Sequence, residues 1–183
     1  MSEYQGRIIL LSGEFENGKT TLCLKLLETA QTSGYSTKGV ICPPVYENEI
    51  KTGIDVLNVE SREQRHLAIL RGLAIDGIYT TRWLFDQESI KWGNEILLKA
   101  VPCDLLLVDE LGPLEFERGE GWQNGLRAVD SRAFHMTVAV IRPRLMDIAL
   151  QRWPDAQVVT LTRENREEIL TQLVKELQTT LNK

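Results

Sequence analysis

The chemistry-bearing residues nearest the N-terminus are Gly13-Glu14-Phe15-Glu16-Asn17-Gly18-Lys19-Thr20, with Thr21 directly after them. Two glycines, a lysine and a hydroxyl at the spacing G-x-x-x-x-G-K-[ST] suit a loop that cradles phosphate. Backbone N–H groups at a helix start are unpaired and lie at the positive end of its dipole, so a polyphosphate can satisfy them. Gly13 and Gly18 let the backbone turn and approach closely. In this reading Lys19 reaches the terminal phosphates, and the Thr20 hydroxyl holds a Mg²⁺ that bridges phosphate oxygens.

A second group of reactive residues stands far along the chain. The apolar run Cys103-Asp104-Leu105-Leu106-Leu107-Val108 ends in two adjacent carboxylates, Asp109 and Glu110. At the C-terminal end of a buried strand, one carboxylate can hold Mg²⁺ through water while the other orients and deprotonates an attacking water. Asp109 is the metal residue in this reading and Glu110 the general base. Charge growing on a phosphoryl group also needs a cation. Arg142 ends another apolar strand and is the in-chain candidate, although an arginine facing solvent at a strand end fits as well. Arg82, Arg118 and Arg144 are weaker alternatives, and Glu115 is either an auxiliary acid or a solvated loop residue.

These groups must be positioned by ordinary elements. Arg7 to Leu11 reads as a buried strand, and Leu22, Cys23, Leu26, Leu27 and Ala30 form one helical face that Gly34 ends. Thr37 to Cys42 predicts a second strand, stopped by Pro43-Pro44. Residues 45–85 predict an antiparallel β insertion on the side of the core, with strands over Val45-Tyr46, Ile50–Val59, Leu67–Leu70 and Ile78–Phe85. Asp86 predicts an N-cap for a helix to about Ala100. A Gly- and Glu-rich loop is expected over Leu111–Gly121, then a short helix through Trp122, Leu126, Val129 and Ala133. Phe134–Ile141 predicts a strand, Leu145, Ile148 and Ala149 a short helix, and Gln157–Leu161 a last strand. Thr162 is the expected N-cap of a closing helix with Ile169, Leu170, Leu173, Leu177 and Leu181 on its apolar face. Strands alternating with helices give an α/β fold around a mainly parallel sheet, in one domain over residues 1–183.

Composition narrows the partners. The chain has 183 residues, 43% hydrophobic and 26% charged, with a formal charge of −5. An acidic balance argues against a nonspecific grip on nucleic acid, which needs a basic face. The apolar runs are too short to span a bilayer and no secretory pattern opens the sequence, so cytoplasmic residence is the expectation. Cys23, Cys42 and Cys103 lack metal or disulfide spacing and are expected as buried or semi-buried thiols. His135, inside an apolar run, reads as structural. No N-K-x-D guanine-reading pattern, transporter signature or long arginine-rich lid is present; the turn Thr160–Asn165 is a candidate resting place for a base.

The chain resembles the small nucleoside-triphosphatase family that includes the cancer-related nucleoside-triphosphatase and its thermophile relatives. The likeness rests on Ser12-Gly13-Glu14, Gly18-Lys19-Thr20-Thr21-Leu22, Val108-Asp109-Glu110-Leu111-Gly112-Pro113-Leu114-Glu115 and Leu161-Thr162-Arg163-Glu164-Asn165-Arg166. It implies a recombinase-like P-loop core and slow hydrolysis of several nucleoside triphosphates. It also implies phosphate and Mg²⁺ roles for Lys19 and Thr20, a metal role for Asp109 and a base role for Glu110. The family's loop has Pro-Gly where this chain has Phe15-Glu16, and Glu14 and Glu16 place like charge near a triphosphate. A kinase using the same loop, with an acceptor near residues 45–85, and a nucleotide-controlled binding module are the two competing readings.

Overall fold

The computed structural model describes residues 4–70, 78–79 and 82–181. Among the described residues the strands form one ten-stranded sheet. The parallel part comprises β1 (Arg7–Ser12), β2 (Thr37–Ile41), β8 (Cys103–Leu111), β9 (Phe134–Ile141) and β10 (Gln157–Thr160), in the order β10-β1-β9-β8-β2. Alternation decides which face each residue serves. Ile8 and Leu10 of β1 point to one side and Ile9 and Leu11 to the other, all four buried. Leu105 to Val108 are wholly buried, as expected of a strand covered on both faces.

Helices supply the two covers. On one side, α1 (Lys19–Thr32) and α6 (Arg166–Leu181) bury Leu22, Leu26, Leu27, Leu173 and Leu177 against Ile9, Leu11, Leu105 and Leu107. On the other, α2 (Gln87–Leu98), α4 (Gln123–Ser131) and α5 (Met146–Arg152) close over Ile8, Leu10, Leu106 and Val108. Each fully buried Leu or Ile contributes about 1.5–3 kcal/mol, so both layers are needed to fix the sheet. Asp86 caps α2 as its position predicts, accepting from the Ser89 N–H at 2.7 Å.

The segment expected as an antiparallel insertion is β3 (Pro44–Glu47), β4 (Ile50–Asn58), β5 (Gln64–Leu70), β6 (Ile78–Tyr79) and β7 (Trp83–Phe85). It stands on the side of the core, as expected, and continues the same sheet. Antiparallel pairing of Val40 with Asn58 and Ile41 with Leu57 makes it a direct extension of the sheet edge. Residues 71–77 and 80–81 of the expected insertion lie outside the described residues.

Other details depart from the sequence expectation for local reasons. Pro44 opens β3 rather than lying between strands; at the first residue of a strand its missing N–H costs no ladder bond. The Leu111–Gly121 loop contains a single-turn helix, α3 (Pro113–Phe116), with Pro at the first helical position. Thr162 does not cap α6: the helix starts at Arg166, and Thr162 and Asn165 exchange hydrogen bonds in the turn before it. Ile148 is exposed, unlike its helix neighbour Ala149. His135 is half-buried beside Tyr4, with ring centroids 5.0 Å apart. The cysteines are unpaired, Cys23 and Cys103 buried and Cys42 half-buried.

Candidate active site

The turn from β1 into α1 is held open by its own geometry. Gly13 has φ +139°, and a Cβ there would run into the Leu161 carbonyl oxygen. Gly18, φ +87°, offers no side-chain cap, and the first turn of α1 carries no acid. Nothing from the first turn itself therefore competes for the N–H groups an anion would take. Outside the loop, Asn17 donates to the Leu161 carbonyl at 3.1 Å and Arg166 donates through Nε to the Asn17 carbonyl at 2.8 Å. Both bonds tie the loop to the β10–α6 turn. Glu16 adopts φ 61°, a left-handed conformation that glycine takes at no steric cost.

Lys19 lies back over the loop, its ammonium donating to the carbonyls of Gly13 at 2.7 Å and Glu14 at 2.8 Å. Two of its three donors are thus engaged, and a phosphate must take the third or displace them. Burial holds this amine below its ordinary range, opposed by the nearby carboxylates of Glu110 and Asp109.

Asp109 and Glu110 come from β8, and β9 separates that strand from β1. One strand between leaves space above β9 for the groups that react. Asp109 is almost wholly buried, accepts the Cys42 N–H at 3.2 Å and lies beside the Thr20 hydroxyl, which favours its charged form. Burial first, and then the charge of Glu110, raise its pKa from 3.8 to about 6, against the pull of the Cys42 N–H, Thr20 and Lys19. Glu110 is more open and forms an ion pair with Nε of Arg142. Glu115 is an internal brace: its carboxylate accepts the N–H groups of Gly112 and Trp122, each at 2.7 Å. Burial pushes it up to about 7.

Two hollows meet at these residues. A cleft of about 830 Å³ is lined by Gly13, Glu14, Phe15, Lys19, Glu110 and Arg142, and by all three alternative arginines, Arg82, Arg118 and Arg144. Arg144 is paired with Glu117 and Arg118 with Glu120. Behind it, a cavity of about 120 Å³ is bounded by Thr20, Lys51, Asp109, Glu110 and Arg142. A third groove, about 310 Å³, runs past Gly13, Asn17, Met146, Val158, Thr160 and Thr162. Lys19, Thr20, Asp109, Glu110 and Arg142 therefore converge, whereas Thr21 and Glu16 are exposed and the Asn17 amide N–H is spent on the β10–α6 turn. Sequence reasoning missed Lys51, which reads as an ordinary solvent-facing residue of an irregular strand, and gave Arg166 no part.

Thr20 and Asp109 offer one hydroxyl and one carboxylate. Among the described residues no three His, Cys, Asp or Glu side chains cluster to hold a metal by themselves. This donor set suits a hard cation that takes its other ligands from water and phosphate, and does not suit a protein-only cage.

Strand order, loop and carboxylate pair define a P-loop nucleoside-triphosphatase fold. The solution structure of a human cancer-related nucleoside triphosphatase superposes with a TM-score of 0.71 at 21% identity, covering 94% of this chain and 98% of that one. THEP1 from Aquifex aeolicus gives 0.69 at 21% identity over 93% and 98%. The sequence model of the NTPase family matches residues 8–174, and the chain belongs to that family. Among relatives, nucleoside-triphosphatase THEP1 of Methanopyrus kandleri is 26% identical over 91% of this chain and 93% of its own length. That of Pyrobaculum islandicum is 29% identical over 91% of both. Nucleoside-triphosphate hydrolysis is the activity of this family, and among the described residues no helix is long and apolar enough to cross a membrane.

Proposed function

We propose that the chain hydrolyses nucleoside 5′-triphosphates to diphosphate and phosphate with Mg²⁺, slowly and with little selection of the base. The observation that carries this reading is the convergence of Thr20, Asp109 and Glu110 on the inner cavity behind the arginine-lined cleft, with Glu110 and Arg142 bounding both. Thr20 and Asp109 would hold Mg²⁺, which when bound neutralises phosphate charge. The open N–H groups of the loop and Lys19 take the phosphates. Glu110, oriented by Arg142, removes the proton from a water that attacks the terminal phosphorus as the bond to the bridging oxygen breaks. Arg142 in this reading positions Glu110 first, and its other N–H groups remain for phosphoryl oxygens.

The size of the inner cavity favours water over a second substrate. About 120 Å³ takes a few waters at roughly 30 Å³ each, and lies below the roughly 300 Å³ at which small-molecule sites begin. Weak, slow turnover fits a lysine already engaged with its own loop and two glutamates near the phosphates. Broad base tolerance fits the groove beside Gly13, where Met146 and Val158 give apolar contact that reads no particular base edge. Cytoplasmic residence and a single domain belong to the same reading, supported by the unpaired cysteines and the continuous sheet.

Phosphate release from ATP, GTP, CTP and UTP, with and without Mg²⁺, tests it in the wild type, Lys19→Ala and Glu110→Gln. Release should need Mg²⁺, differ by less than about tenfold among bases, and fall by about 100-fold or more in Glu110→Gln. Release unchanged in both variants would refute the reading.

A further inference from the structure

Lys51 lies at the start of β4, in the antiparallel extension, yet its ammonium is brought to the phosphate loop. Nζ stands 5.5 Å from the ring centroid of Phe15, a loop residue, and 5.3 Å from that of Trp83 on β7. The same side chain bounds the inner cavity together with Thr20, Asp109, Glu110 and Arg142. Half-burial and the neighbouring Arg82 hold the amine below its usual range, while Glu110, Asp109 and Glu16 pull it upward from a distance. Among the described residues no carboxylate lies within ion-pair distance of it, and aromatic faces are its near partners. An ammonium taken partly out of water without an anion is costly, and a phosphoryl oxygen at the cavity mouth offsets that cost.

Arg82 stands over the same two rings, 5.4 Å from Phe15 and 5.3 Å from Trp83, but lines the outer cleft and not the inner cavity. Lys19 donates to two loop carbonyls, and Arg142 is tied to Glu110. We propose that Lys51 is a further cation that contacts the terminal phosphoryl oxygens as charge grows on them, beside the remaining N–H groups of Arg142, making the antiparallel extension part of the catalytic site. This rests on the hydrolase reading above. The oxygen of water bonds to the terminal phosphorus, the bond from phosphorus to the bridging oxygen breaks with its electron pair staying on the diphosphate, and the water proton passes to Glu110. Lys51 keeps its proton throughout and supplies only charge.

Lys51→Met keeps most of the stem and removes the charge; Lys51→Arg restores it. Steady-state hydrolysis of ATP with Mg²⁺ is measured beside binding of ADP with Mg²⁺, with and without aluminium fluoride, which mimics a planar phosphoryl group. In Lys51→Met, kcat should fall by about 100-fold while ADP affinity changes by less than about threefold. The aluminium-fluoride-dependent tightening of ADP should be lost in that variant and largely recovered in Lys51→Arg. Wild-type hydrolysis that Glu110→Gln abolishes, together with Lys51→Met that keeps its kcat and its tightening, would overturn the role of Lys51 and leave the hydrolase reading standing. A lost kcat with lowered thermal stability and no recovery in Lys51→Arg would also overturn it, in favour of packing. A wild type that neither hydrolyses ATP nor responds to aluminium fluoride would overturn both.

Discussion

Replacing Asp109 by Asn should make this protein more stable and catalytically dead. The carboxylate is buried, and its pKa rises from 3.8 to about 6 chiefly because burial penalises the charge. At about 1.36 kcal/mol per unit, holding Asp109 ionised costs the native state about 3 kcal/mol at neutral pH. Asn has the same shape, its carbonyl can take the Cys42 N–H, and its amide can donate to the Thr20 hydroxyl, which accepts as readily as it donates. The penalty then vanishes with little loss of hydrogen bonding. Between pH 3.8 and about 6 the native state keeps a proton that the unfolded chain has released, so wild-type stability falls as pH rises through that window. The advantage of Asp109→Asn is therefore small below pH 4, about half developed at pH 5 and complete above pH 7. For a chain of this length, about 3 kcal/mol raises the melting temperature by about 6–12 °C. Thermal unfolding without Mg²⁺, followed by fluorescence of the buried Trp83, Trp122 and Trp153, reads the effect at pH 5.0 and 7.5. Asp109→Asn no more stable than wild type at pH 7.5, or a gap that does not shrink at pH 5.0, would refute the reasoning.

Two further substitutions probe the loop. Glu16→Gly relieves a left-handed φ of 61°; the strain of about 1–2 kcal/mol less the added chain entropy leaves a gain of up to about 1 kcal/mol in urea unfolding. Calorimetric titration with ATP and Mg²⁺ should show tighter binding, because a negative charge beside the phosphates is gone; unchanged affinity would mean that Glu16 does not weaken the cradle. Gly13→Ala cannot keep the present loop, since its methyl meets the Leu161 carbonyl. Nucleotide affinity should fall by at least about tenfold while the sheet survives, as checked by the same titration and by circular dichroism.

The sequence by itself determined the parts whose physics is local. The Gly13–Thr20 spacing specifies unpaired N–H groups at a helix start, and the apolar run before Asp109-Glu110 specifies a buried strand with two carboxylates at its end. Both stand where they were expected, as does Asp86 at its cap. Tertiary structure decided everything that depends on strand order and on pairing across long stretches of chain. It placed β9 between the loop strand and the carboxylate strand, joined the insertion to the sheet edge through β2 and β4, and buried Glu115 against Gly112 and Trp122. It also tied Arg142 to Glu110 and set Lys51 over Phe15. No periodicity signals such meetings, because hydrophobic patterning fixes which face of an element is buried, while charged side chains from distant segments meet only when register and strand order have been fixed.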